Sequence, residues 1–261
     1  MRLCYLLALF LAGLSVPAFA DPKLDALIAA YPDRLASYTD SELIWKDGTH
    51  MPLGSARADR PLVELLEHAG IRDQFAIPYP LAGAPFEAPA IDDDPGRIRN
   101  DAFFVKMYGD CRKGQVTPSL RAISWLPRHG GGTIRVTIIN GVADQLEKVS
   151  RDLDMVPAEM IQYLVPTSGT YNCRPIAETN RLSMHAFGAA IDINARFGNY
   201  WLWSKRPQGA IVWRNQIPQR IVEIFERNGF IWGGRWYHFD SLHFEYRPEL
   251  IALAKQGWPG D

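Results

Sequence analysis

The amino-acid sequence predicts an α+β protein, and three observations carry that expectation. Amphipathic helical stretches and short β-rich runs are mixed, without the regular β-α-β alternation of a parallel sheet. No internal repeat or low-complexity block suggests a solenoid or a disordered chain. Residues 21–261 are also ample to bury a sizeable core.

The chain opens "MRLCYLLALFLAGLSVPAFA". Arg2 supplies a positive start and Leu3 to Leu14 a run too short to span a bilayer. Ala18-Phe19-Ala20 supplies a small-residue cleavage site, so residues 1–20 read as a secretory signal peptide. The mature chain is expected to start near Asp21 and to be periplasmic or secreted, without stable membrane insertion. Residues 21–76 read as helical, on the apolar spacing of "KLDALIAAY" and "RPLVELLEHAGI". Ile77 to Arg97, rich in Pro, Ala and Gly, reads as a linker. This gives three parts: the signal at 1–20, a helical segment with its linker at 21–95, and a main domain at 96–261.

In the main domain "AFFVKMY" predicts a strand. "HGGGTIRVTIIN" predicts a glycine turn leading into a strand, and "GVADQLEKVSRDLD" an amphipathic helix. "AAIDIN" predicts a strand, "IPQRIVEIFERNGF" a second helix between Pro218 and Gly229, and "HFEYR" a last strand.

The formal charge is −1, which gives no electrostatic case for nucleic acid or for an anionic membrane surface. Cys4 leaves with the signal. The two remaining cysteines, Cys111 and Cys173, are expected to form a disulfide in an exported protein.

Six histidines are present. His68 falls in a helical run and His50 after a loop. His129 opens "HGGG", but no G-x-S-x-G nucleophile elbow accompanies it, so a turn accounts for the glycines. His185 lies in "RLSMHAFGAAIDIN", seven residues before Asp192. A carboxylate between Ile191 and Ile193 is expected to be partly buried and to need a partner, and Gly188 lets the chain turn between the two. "RWYHFDSLHFEY" adds His238, Asp240, His243 and Glu245. Hydrolytic zinc takes three protein ligands and needs a carboxylate near its water. His185 and Asp192 offer two ligands, and His243 or His238 the third.

"SMHAFGAAID" resembles the S-x-H-x-x-G-x-A-x-D pattern of the zinc D-alanyl-D-alanine carboxypeptidase family, and "DSLHFE" its later [DE]-x-x-H-F-E element. That family includes VanX/VanY-type peptidases and related phage L-alanyl-D-glutamate endolysins. "YNCRPIAETNRLSMHAFGAAIDIN" and "GFIWGGRWYHFDSLHFEYRPEL" are most similar to its extracellular carboxypeptidase-like branch, and the resemblance spans roughly Asn100 to Leu253. It implies a hedgehog/lysostaphin-like fold, a small antiparallel sheet with flanking helices around one Zn²⁺. It also implies a peptidoglycan stem-peptide substrate.

Carried over residue by residue, the resemblance makes His185, Asp192 and His243 the zinc ligands and Asp240 the general base. Arg174 becomes the group that holds the substrate carbonyl or carboxylate, with Arg181 competing for that role. Ser183 would hydrogen-bond behind the ligands, Glu245 would orient a ligand or form a salt bridge, and His238 would sit at the cleft rim. The aromatics at 200–203, with Trp232 and Trp236, are groove or core. D-alanyl-D-alanine cleavage is the first expectation. An L-alanyl-D-glutamate endopeptidase and a zinc-containing binding module without activity are the alternatives.

Overall fold

The computed structural model describes residues 20–54, 60–81, 86–177, 179–204 and 211–258. Nearly all of the predicted signal peptide, and part of the predicted linker, lie outside these residues. Helix α1 (Pro22–Ala30) starts where the side chain of Asp21 accepts from the backbone N–H of Lys23 and Leu24, at 3.0 and 3.3 Å, with proline in the first turn. It buries Leu24, Ala26 and Leu27.

The next residues correct the helical expectation. Strands β1 (Leu35–Tyr38), β2 (Glu42–Trp45) and β3 (His50–Pro52) form an antiparallel sheet. The reason is local: Leu43 and Trp45 alternate inward along β2, and Asp47-Gly48 turns the chain into β3 with Gly48 at φ 80°. Helix α2 (Leu62–His68) then follows as expected.

A second correction falls on "AFFVKMY", which is helix α3 (Asp101–Tyr108) and not a strand. The Asn100 side chain accepts from Phe103 N–H at 2.8 Å, and Phe103, Phe104, Met107 and Tyr108 face the core at helical spacing. Aromatic content had suggested a strand, and the cap decides the matter.

Strands β4 (Leu120–Ser124) and β5 (Thr133–Thr137) pair antiparallel across the glycine turn. Helices α4 (Val142–Leu153) and α5 (Ala158–Ile161) follow. Strand β6 (Ala190–Asp192), helix α6 (Gln219–Arg227), strands β7 (Phe230–Trp232) and β8 (His243–Tyr246) and helix α7 (Pro248–Gln256) complete the chain. Strand β8 is central in the antiparallel order β6-β8-β7. Mixed helices and small antiparallel sheets make the α+β class the observed one.

One buried cluster runs from Leu24 in α1 to Leu253 in α7, and α1 packs on α7. Cys111 and Cys173 are disulfide-bonded. No described helix is long and apolar enough to cross a membrane.

Candidate metal centre

The pairing of β6 with β8 builds the site. Asp192 and His243 are direct cross-strand partners, so their side chains leave the same face of the sheet. His185 arrives from the 3₁₀ turn Met184–Phe187, where the Ser183 hydroxyl accepts from His185 N–H at 3.3 Å. Gly188 ends that turn at φ 67°, and a Cβ there would lie 2.7 Å from Leu120 and 3.1 Å from Thr137 N. Only glycine lets the turn press against β5 and return the chain to β6.

The result is a triangle of donor atoms. His185 Nε2 lies 3.1 Å from Asp192 Oδ1, His243 Nδ1 lies 3.0 Å from the same oxygen, and the two nitrogens are 3.1 Å apart. Ligands of a tetrahedral ion with bonds near 2.0–2.1 Å are separated by roughly 3.3 Å, so the triangle is the right size for zinc. The outer sides of both rings fix their tautomers. His185 Nδ1–H donates to the Thr170 carbonyl, and His243 Nε2–H donates to Glu245 Oε2 at 3.1 Å. The inner nitrogens of both rings face Asp192; a metal ion there would take all three groups as acceptors, and in the metal-free chain a proton on His243 stands in its place.

Burial pushes the Asp192 carboxyl up, but its bonds to His185 and His243 hold it well below the usual carboxylate range. Burial would lower His243, and the bonds to Asp192 and Glu245 outweigh it, taking the imidazole up to about 10. Glu245 is held at about 2 against burial, chiefly by His243 and then by Arg99. Asp240 behaves oppositely. Burial first, and then the charge of Asp192, push it up to about 6. Its Oδ1 is buried without a hydrogen-bond partner among the described residues. Gly233 and Tyr200 hold its backbone.

These groups line one cleft of about 280 Å³. Arg174 and Arg181 both line it but differ in freedom. Arg174 is exposed and donates only weakly, to Pro175 O at 3.4 Å. Arg181 is buried and donates to Arg97 O at 2.8 Å; burial and the neighbouring Arg99 lower it to about 10. His238 is at the rim, its Nδ1 2.6 Å from Asp94 Oδ2 and its ring edge-on to Trp201. Trp232 belongs to the core, whereas Trp201, Trp203 and Trp236 line the cleft, with Trp203 70% exposed.

Sequence reasoning missed Thr170, Asp94, Arg97, Arg99 and Arg247. Only the acidic run before Pro95-Gly96 carried a signal, since three adjacent acids in an ordered segment need partners. A backbone carbonyl such as that of Thr170 leaves no trace in residue type.

Two imidazoles and one carboxylate converge on a point that could hold one metal ion, with the acid Asp240 in the same cleft, an arrangement that suits a mononuclear metallohydrolase. Residues 177–246 match the family model described as D-alanyl-D-alanine carboxypeptidase, and the match includes both motifs. It supports the family drawn from those motifs and, in general, a metallopeptidase, and peptidases of this family are zinc-dependent. No curated protein and no solved structure matches the chain.

Proposed function

We propose that the protein is a zinc-dependent peptidase of the cell exterior that trims peptidoglycan stem peptides, removing the terminal D-alanine. The observation that carries this reading is the trio His185, Asp192 and His243, with outer ring nitrogens held by Thr170 and Glu245, beside Asp240, whose Oδ1 is buried without a partner among the described residues. A zinc ion held by the trio would supply Lewis acidity to the scissile carbonyl and to the attacking water.

The remaining work falls to the chain. Asp240, raised toward neutrality, accepts the proton of the attacking water and passes it to the leaving amine. The exposed guanidinium of Arg174 binds the substrate carbonyl or carboxylate, a role that Arg181, held by backbone, is less free to fill. Trp201 and Trp203 give the peptide an aromatic wall. Asp240, raised toward neutrality beside the trio, speaks against a binding module, which has no use for a proton acceptor at its metal.

Mass spectrometry of defined pentapeptide muropeptides, incubated with zinc-loaded protein and with a chelated control, tests the proposal. Chelator-sensitive loss of one terminal alanine is expected. Cleavage after L-alanine would move the enzyme to the endopeptidases, and the absence of any chelator-sensitive product would overturn the peptidase reading.

A further inference from the structure

His243 does not end at Glu245. Arg247 Nη1 lies 3.5 Å from Glu245 Oε1, and Arg247 Nε donates to Glu249 Oε1 at 2.6 Å. The hydroxyl of Tyr31, at the C-terminal end of α1, donates to Glu249 Oε2 at 2.6 Å. Every member is buried: Glu245 is 3% exposed, Glu249 1%, and Arg247 and Tyr31 0%.

Arg99 stands beside the chain, 3.7 Å from Glu245 Oε2. Two carboxylates therefore face two guanidiniums, and both guanidiniums lie over the ring of Phe104 in α3. Arg247, Glu249 and Tyr31 all lie outside the segment that matches the family model.

We propose that this chain makes the N-terminal helix part of the metal centre, with Tyr31 and Glu249 as positioning residues that hold Glu245, and through it His243, in the orientation that binds the ion. The physical case has two parts. Glu245 fixes the His243 ring only if its own carboxylate is fixed, and Arg247, held by Glu249 at 2.6 Å and by the Gly96 carbonyl at 2.8 Å, stands against it together with Arg99. The charges also balance, so losing the Glu249 carboxylate leaves a buried positive charge near a site built for a dication. Tyr31 supplies the bond that orients Glu249, although it lies more than 200 residues from His243 in sequence.

The inference rests on the metal reading above, and its test keeps the two apart. Zinc affinity is measured on the metal-free full chain by competition with a chromophoric chelator, for wild type, Tyr31→Phe, Glu249→Gln and Leu24→Ala. Removing a partner that orients a ligand costs about 10–100-fold in metal affinity, so these more remote links are expected to cost about three- to tenfold, Glu249→Gln more than Tyr31→Phe. Tyr31→Phe keeps charge and shape and reads the geometric part alone, and it remains informative if Glu249→Gln does not fold.

Leu24→Ala loosens the packing of α1 without touching the chain. It should lower the melting temperature and leave zinc affinity unchanged. Tyr31→Phe with wild-type affinity, or a loss in Leu24→Ala equal to that in Tyr31→Phe, would overturn the inference. Failure of the wild type to bind zinc would instead overturn the metal reading.

Discussion

Replacing Asp240 with asparagine should trade activity for stability. In its proposed role of moving the water proton, its carboxylate is worth about 10²–10⁴ in rate, or roughly 3–5 kcal/mol of barrier. The stability effect comes from the same burial. In the metal-free protein the carboxyl sits at about 6, against 3.8 ordinarily. A folded value above the unfolded one means that the native state binds the extra proton between those limits. The associated stability is whole below about pH 4 and is lost as pH rises through 6. A shift of about two units is worth up to about 3 kcal/mol.

Asparagine is neutral throughout. After allowance for its own unpaired amide, the chelated variant should exceed chelated wild type by about 1–3 kcal/mol at pH 7, and by nothing below pH 4. Urea denaturation of both proteins in chelator at the two pH values measures this. Zinc content by mass spectrometry and turnover of a muropeptide complete the test. A variant that is no more stable at pH 7, or that keeps more than about a tenth of wild-type turnover, would refute the reasoning.

The Cys111–Cys173 bond closes a loop with a sequence separation of 62. The double serine variant should lose about 4 kcal/mol by the chain-entropy relation, read from urea denaturation under oxidising conditions. Because Cys173 adjoins Arg174, the same variant should also raise KM more than it lowers kcat. Asp192→Asn replaces the carboxylate on which both imidazoles converge with a neutral amide, so zinc affinity should fall at least about 100-fold in chelator competition while secondary structure by circular dichroism is retained.

The proposed ligands were legible because their chemistry is local. His185, Gly188 and Asp192 belong to a turn and the strand after it, and "DSLHFE" places Asp240 and His243 on one short arc. The register that sets Asp192 opposite His243 is long-range, and no single segment carries it. The fold was legible where periodicity was strong, as in α4 and α6, whose apolar faces repeat over several turns. It was lost where one local device outweighed composition. Asn100 capped an aromatic run into α3, and Asp47-Gly48 folded a stretch read as helix into β2 and β3. The cap and the turn each occupy one or two residues, too few to shift a reading based on spacing over ten.

The segment that matches the family holds all three proposed ligands and Asp240, yet it does not hold what makes them a site. The carbonyl that sets the His185 tautomer belongs to Thr170, and the buried acid on His238 is Asp94. The guanidiniums that face Glu245 belong to Arg99 and Arg247, and Arg247 is bonded in turn to Glu249, which accepts from Tyr31. Three groups 3.0–3.1 Å apart can act together as acceptors for a cation only where outside partners hold each ring and carboxylate in place. The motif therefore specifies which atoms meet, and the segments around it, α1 included, supply the force that keeps them together.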